Sequence, residues 1–555
     1  AIIYDQTCAA EKRRRRKRGS MAEPSTRVFI NHLVCEGCGD CSVQSNCVSI
    51  EPLETPLGRK RAINQSTCNK DYSCLKGFCP SFVTIDGGRL RKRLPAGGDL
   101  DPATLPAPDV RLDLDRPYNI AITGVGGTGV LTIGALLGMA AHLEGKASMI
   151  LDMAGLAQKG GAVLSHVRLA RHPDEVTTPR IVTGGADLLI AADSVVAASK
   201  EGIALCDPER TAGVVNTHLT PVADFVRHRS FDFREAQVLA AVRSAVRAGA
   251  DFEPFSEVAE AVTGDAIATN LMMLGFAWQR GLIPLAEEAI LRAIELNGVA
   301  VEANRRAFAW GRRLAAKPAE VHALLGDAAQ PAEPETLERL VAHRSAFLES
   351  YQNARLARRY WALVERVAKA SRALDPDGAL ALAVARNYAK LLAYKDEYEV
   401  ARLYTSGEFE ERLAEQFEGD FKLSVHLAPP ILSGIDPNTG RPRKRRFGAW
   451  MIRAFRILAR ARFLRGTPFD PFGHSAERRA ERQLIRDYEA LIEEILGALD
   501  GDRLEAALAL AALPDEVRGF GPIKAAAIAQ ADVREAALLE RFRQGRPPET
   551  RTEAA

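Results

Sequence analysis

Seven of the nine cysteines in this 555-residue chain fall between positions 35 and 79. They form two runs, Cys35-x2-Cys38-x2-Cys41-x5-Cys47 and Cys68-x5-Cys74-x4-Cys79-Pro80. Three thiolates at two-residue spacing can wrap one face of a cubane, because a tight loop turns each sulfur toward the same centre. Gly37 and Gly39 stand between those ligands, where the backbone must bend closely. The sequence shows no signal-peptide pattern, so a disulfide framework is not expected. Clustered thiols in a cytoplasmic setting read as metal ligands. Zinc is the competing occupant, but zinc sites pair two Cys-x2-Cys knuckles around one ion. A triple at this spacing fits a single tetrahedral ion poorly.

In two-cluster runs that close on Cys-Pro, the fourth cysteine of one run ligates the other cluster. By that crossing rule Cys35, Cys38, Cys41 and Cys79 hold one [4Fe–4S] cluster. Cys47, Cys68 and Cys74 supply most of a second. Seven clustered thiols leave that second site one short, so three outcomes stay open: a non-cysteine ligand, a [3Fe–4S] cluster, or one cluster only. Cys8 is a remote candidate. Either way the implied chemistry is one-electron transfer at low potential, on the order of −400 mV for ferredoxin-type centres.

A second chemical signal follows. Ile120-Ala121-Ile122-Thr123 runs into Gly124-Val125-Gly126-Gly127-Thr128-Gly129 and then a helical pattern, and Asp152 follows the next apolar run, 148–151. A strand, G-x-G-x-x-G and a later acid match the dinucleotide fingerprint, in which a helix N-terminus receives phosphate. The alternative is that these glycines only let strand and helix pack closely. The second glycine-rich stretch, Gly155 to Gly161, replaces an ordinary helix start and weakens the dinucleotide reading. Gly124, Gly126, Gly127, Gly129, Gly160 and Gly161 are the candidate cofactor-binding positions; no catalytic residue is assigned.

Elements must position these groups. The chain is 47% hydrophobic and 26% charged, with net charge +3, which is a globular composition with no nucleic-acid signature. At roughly 100–200 residues per domain, about three or four domains are expected. Residues 1–19 read as a strand end and charged tail, and 27–90 hold the cysteines. Residues 91–117 are a Pro/Gly-rich linker. Residues 118–315 alternate β-type runs (119–122, 148–151, 188–191) with helical segments, which predicts a mainly parallel sheet; 285–316 read as paired helices. Residues 335–545 are mostly helical by pattern, interrupted by one strand at 421–427. The charge-free stretch 118–141 is long enough to span a bilayer, but its glycines suit a strand, a loop and a buried helix.

Together these motifs resemble the 2-oxoacid:ferredoxin oxidoreductases, and more narrowly the fused indolepyruvate type. The glycine loop 124–129, the stretch Gly160-Gly161-Ala162-Val163-Leu164-Ser165-His166-Val167-Arg168-Leu169, and a helix pair at 270–275 and 304–308 resemble its γ-type domain. The opening, 4–13, is similar to the end of a thiamine diphosphate domain. The implied fold class is α/β plus α: a ferredoxin-like iron–sulfur module, a Rossmann-like γ-type domain, and a mostly helical C-terminal domain.

The implied activity is oxidative decarboxylation of a 2-oxoacid, indolepyruvate or arylpyruvate among the candidates, to an acyl-CoA. Electrons would leave through the clusters to ferredoxin, in a cytoplasmic homodimer with no membrane or nucleic-acid partner. Thiamine diphosphate and magnesium would be bound mainly upstream, since the Gly-Asp-Gly…Asn motif is absent; the chain is read as a truncated part, inactive alone. The alternatives are an NAD- or FAD-dependent electron-transfer subunit and a zinc-binding scaffold.

The remaining charged motifs read more plainly. The basic run 12–18 lacks interleaved aromatics and suits a solvated or inter-domain ion-pair role. The loop 441–446 reads as solvated, with docking of an acidic partner as the alternative. Lys159, His166 and Arg168 read as ordinary loop and surface groups, against an approach of the 160–161 loop to the thiamine site. Trp450, Met451, Phe455 and Leu458 form an expected core stripe, and Cys206 an expected buried strand-end thiol.

Overall fold

A computed structural model describes residues 7, 9–47, 49–91, 105–108, 114–126, 129–154, 161–219, 234–325, 335–429, 434–436 and 440–545. Cys8, Gly127, Lys159 and Gly160 lie outside these residues, as does most of the 91–117 linker. The chain divides into two compact units, one of residues 1–23, 64–69 and 92–330, the other of 24–63, 70–91 and 331–555.

The second unit starts with the cysteine module. Strands β1 (Thr26–Ile30), β2 (Ile50–Leu53), β3 (Lys60–Ile63), β4 (Phe82–Asp86) and β5 (Arg89–Leu90) frame it, with a short helix at Asp40–Ser45 and a 3-10 turn at Ser73–Lys76. β1 pairs antiparallel with β4, and β2 with β3.

The first unit contains β6 (Tyr118–Val125), β7 (Ala147–Ala154), β8 (Ala162–Ala170), β9 (Leu188–Ala191), β10 (Ala212–Asn216) and β11 (Asp251–Glu253). Their sheet order is β11-β10-β9-β6-β8-β7. The expected mainly parallel sheet carries one reversed strand: β8 lies antiparallel between β6 and β7. The apolar run of β6 is buried on both faces, as a central strand requires. Helix Val130–Leu143 packs over this sheet, so the stretch read against a membrane is a strand and a core helix; no described helix is long and apolar enough to cross a bilayer.

Helices Thr269–Gln279 and Val301–Ala316 form the tightest pair in this unit. A Cβ on Gly275 would stand 2.0 Å from the Phe308 carbonyl oxygen, and one on Gly311 would stand 1.8 Å from that of Met272, so only glycine lets these backbones meet. At the chain start, 9–17 is a helix rather than a tail, and the expected strand end lies outside the described residues. Two cations of its basic run are not solvated: Arg13 and Arg16 donate to the carbonyls of Thr67 and Asn69.

Residues 335–545 are mostly helical, as the pattern suggests. Three further strands, β12 (Phe417–Glu418), β13 (Lys422–Leu427) and β14 (Arg445–Phe447), return to the cysteine module. β13 pairs antiparallel with β4 along Lys422↔Asp86 to Val425↔Val83, giving a sheet of order β1-β4-β13-β14, and β12 pairs with β5. Phe29, Val83 and Ile85 then share one core with Tyr404, Phe409, Val425 and Phe455. The rest of the unit is helical, around Tyr360, Tyr388, Tyr488 and Ile492.

On helix Trp450–Arg460 only part of the expected stripe is inside. Phe455 is buried and Met451 and Leu458 pack beside it, whereas Trp450 is 59% exposed and stands edge-on to Phe447. Cys206 follows a short helix, Lys200–Ala204, rather than a strand, and its Sγ donates to the Gly202 carbonyl.

Candidate iron–sulfur site

The chain leaving β1 turns at once. Asn31 accepts the Leu33 amide through Oδ1, and its backbone carbonyl takes the amides of Val34 and Cys35. Cys35 thereby starts a tight loop. Gly37 has φ 66° and a Cβ there would stand 2.3 Å from the Arg59 carbonyl oxygen, so the loop needs glycine for both conformation and space. Gly39 then caps the helix that carries Cys41.

The second run meets the first at Gly77, where a Cβ would lie 2.8 Å from the Cys41 Cα. Buried Asp40 locks the junction by accepting the Phe78 amide at 2.7 Å.

Cys35, Cys38, Cys41 and Cys79 consequently line one enclosed pocket, with Ile30, Phe82 and Arg61 among its other walls. All four thiols are free. The Gly37 amide donates to the Cys35 sulfur at 3.3 Å, and Cys79 Sγ lies 2.9 Å from Ser81 Oγ. Burial, then neighbouring Cys79 and Cys35, push the Cys38 thiol up to about 12. Burial and the same neighbours push Cys41 well above its ordinary value. Burial also raises Cys79, against the pull of Lys444. Thiols that raise one another in this way stand close together in a medium of low dielectric.

Two cations face the sulfurs. Arg61 is 1% exposed and is attracted by Cys41, Cys35 and Cys38. Lys444 donates to the carbonyls of Gly77 and Cys79, lies 4.7 Å from the Phe82 ring centre, and is attracted by Cys79, Cys74 and Cys41. The 441–446 segment is therefore only partly solvated: Arg441 and Lys444 are half-buried, while Arg443, Arg445 and Arg446 are exposed. Arg441 reaches the buried Asp40 carboxylate at 3.3 Å, Arg446 pairs with Asp86, and 445–447 is strand β14. No signal of a few residues' range could have placed it there.

Among the described residues no three His, Cys, Asp or Glu side chains converge tightly enough to hold a single metal ion. A donor set of four thiols flanked by buried Arg61 and half-buried Lys444 suits the charge of an anionic metal centre.

Cys47, Cys68 and Cys74 do not line this pocket. Cys47 is buried, Cys68 and Cys74 are half-buried, and the Cys68 amide donates to the Asn64 carbonyl.

In the other unit Gly126 of the first glycine-rich stretch meets Gly161, the end of the second. β6 and β8 are in register to Val125↔Ala162, and the Gly126 amide donates to the Gly161 carbonyl at 2.8 Å. Gly129 caps helix Val130–Leu143. The dinucleotide arrangement is not formed. It needs the acid at the end of a strand beside the first one, but β8 separates β7 from β6 and Asp152 accepts from Ser165 Oγ at 2.6 Å. His166 is 2% exposed and accepts the Ile181 amide, while Arg168 donates to Asn119 and to the Thr178 carbonyl. Arg168 thus ties β8 to β6, and His166 ties β8 to the segment at Ile181.

Residues 119–314 match the family model described as pyruvate ferredoxin/flavodoxin oxidoreductase. Residues 337–537 match a family of unknown function, DUF6537. The indolepyruvate oxidoreductase subunit IorB of Thermococcus kodakarensis is 28% identical over 36% of this chain and 96% of its own length. The same subunit of Pyrococcus horikoshii is 29% identical over the same shares. Among solved structures, the keto/oxoacid ferredoxin oxidoreductase gamma subunit of Geobacter sulfurreducens aligns over 36% of this chain and 98% of its own, at 22% identity and a TM-score of 0.26. The pyruvate oxidoreductase subunit PORC of Thermotoga maritima aligns over 36% and 97%, at 19% identity and a TM-score of 0.27.

Proposed function

Because the chain is, through residues 119–314, a member of the 2-oxoacid:ferredoxin oxidoreductase family, we propose that its cysteine module is the electron outlet of such an enzyme. The observation that carries this reading is the single enclosed pocket shared by Cys35, Cys38, Cys41 and Cys79. Those four residues would hold a [4Fe–4S] cluster, which supplies one-electron transfer at low potential.

The surrounding residues have definable roles. Ligation requires four thiolates from thiols that burial keeps protonated, so assembly releases protons to solvent. Arg61 and Lys444 offset the negative charge that four buried thiolates would otherwise leave uncompensated. Ile30, Phe82 and Tyr404 keep water out; Tyr404 is fully buried and donates to the Pro80 carbonyl at 2.6 Å. The resemblance further assigns ferredoxin as acceptor, a 2-oxoacid of the indolepyruvate or arylpyruvate kind and coenzyme A as reactants, and thiamine diphosphate bound by a partner region. The paired glycine stretches 124–129 and 160–161 would present backbone to that region. Cys47, Cys68 and Cys74 are the ligands available to a second cluster.

Iron and acid-labile sulfide per chain, measured after anaerobic purification, test the reading. Stoichiometric iron with an EPR signal on reduction is expected. A colourless protein carrying stoichiometric zinc would overturn it.

A further inference from the structure

A second cavity, of about 520 Å³, lies in the same unit between the β2–β3 hairpin and the helices after residue 335. Its size is that of small-molecule sites, roughly 300–1,000 Å³. Eight lysine and arginine side chains line it against four carboxylates. Each carboxylate already has a cation: Glu36 with Lys395 at 2.7 Å, Glu335 with Arg386, Glu481 with Lys524, and Asp515 with Arg518. The remaining positive charge is therefore not balanced from within.

Two of the unbalanced cations are buried. Lys60 is 8% exposed, and its ammonium makes neither a hydrogen bond nor an ion pair among the described residues. Arg344 is 7% exposed; Nη2 donates to the Pro56 carbonyl at 2.6 Å, but Nε and Nη1 find no acceptor. A buried guanidinium with two unsatisfied nitrogens, in one cavity with an ammonium that has no carboxylate of its own, is costly, so the arrangement calls for an anion. Leu57, Leu391, Val517 and Tyr394 add apolar surface to the lining. We propose that this cavity binds a small phosphorylated ligand of nucleotide size, its phosphates on Lys60 and Arg344 and its body against the apolar lining. A partly open cavity of this volume suits a compact ligand. The inference goes beyond the electron-transfer reading and does not depend on it.

The probes are ADP, inorganic phosphate and adenosine, titrated calorimetrically into the full chain. ADP is expected to bind one per chain, phosphate to compete with it, and adenosine to leave it in place. Lys60→Met and Arg344→Met should each weaken ADP about tenfold or more, as loss of a charge-assisted contact does; Lys422→Met, on the exposed start of β13, should not. No heat with millimolar ADP, phosphate binding without ADP, or unchanged affinity in Lys60→Met would overturn the proposal. If a variant fails to fold, the wild-type chain decides: ADP should protect Lys60 from acetylation, read by mass spectrometry, and unchanged labelling counts against the site. Iron content is measured in parallel, so loss of the cluster is seen separately from loss of ADP binding.

Discussion

Cys35, Cys38, Cys41 and Cys79 share one walled pocket, whereas Cys47, Cys68 and Cys74 stand outside it. The two sets have the same chemistry and lie in the same short stretch of chain. The difference is in what the backbone does around them. The first set has a turn fixed by Asn31, glycines where chain meets chain, and Asp40 clamping Phe78 beside Cys79. It also has a roof from far along the sequence, in β13, β14 and Lys444. In the second set Cys47 is buried while Cys68 and Cys74 are half-buried, and none of the three lines that pocket.

The comparison breaks most sharply on substitution of a thiol. Cys41→Ser should abolish the visible absorbance and the iron and sulfide of the first site, while Cys47→Ser should leave them; equal losses in both variants would erase the distinction.

Next comes the roof. Burial first, then Lys444 and Arg446, lower His426 from 6.5 to about 4, with Nε2 held 3.1 Å from Thr84 Oγ1. Between those values the unfolded chain takes up a proton that the folded chain refuses, so stability falls as pH drops from about 6.5 to about 4. The expected loss is on the order of 2 kcal/mol. His426→Gln should flatten the slope of denaturant midpoint against pH over this window, and an unchanged slope would show that β13 does not report on the module.

A smaller effect is expected electrostatically. Lys444→Met removes a cation that favours the reduced, more negative site. It should lower the reduction potential by about 50 mV, a Coulomb energy of about 1 kcal/mol, read by redox titration; a rise or no change would remove Lys444 from the site's charge balance. Smallest is Tyr404→Phe, which strips the donor from the Pro80 carbonyl beside Cys79. It should cost about 1 kcal/mol of unfolding free energy and leave the iron content intact.

Much of the local architecture was legible. The runs 119–122, 148–151 and 188–191 lie in strands, as does 421–427 from Lys422 on, and the helix pair at 270–275 and 304–308 is present. These follow from period and composition within a few residues. The pairing of Arg441 and Arg446 is not legible in 441–446, because arginine-rich composition is the same for a solvated loop and for a segment held by Asp40 and Asp86. Trp450 was placed inside because an amphipathic pattern gives a face, not which end of it is covered. The dinucleotide fingerprint was present in spacing but not in space, since the insertion of β8 between β6 and β7 leaves no trace in either strand. The Lys60 and Arg344 cavity carried no motif, because its cations come from segments far apart in the chain.

What the sequence alone determined are features whose cause is local: thiol spacing with glycines at the bends, apolar runs of strand length, and helical periodicity. Only the tertiary structure decided which four sulfurs meet, which strand separates β6 from β7, and that residues 422–447 complete the sheet beginning at residue 26. The physical reason is range. Local preferences act over one or two turns of chain, whereas strand order and shared cavities are set by how separate apolar faces bury one another.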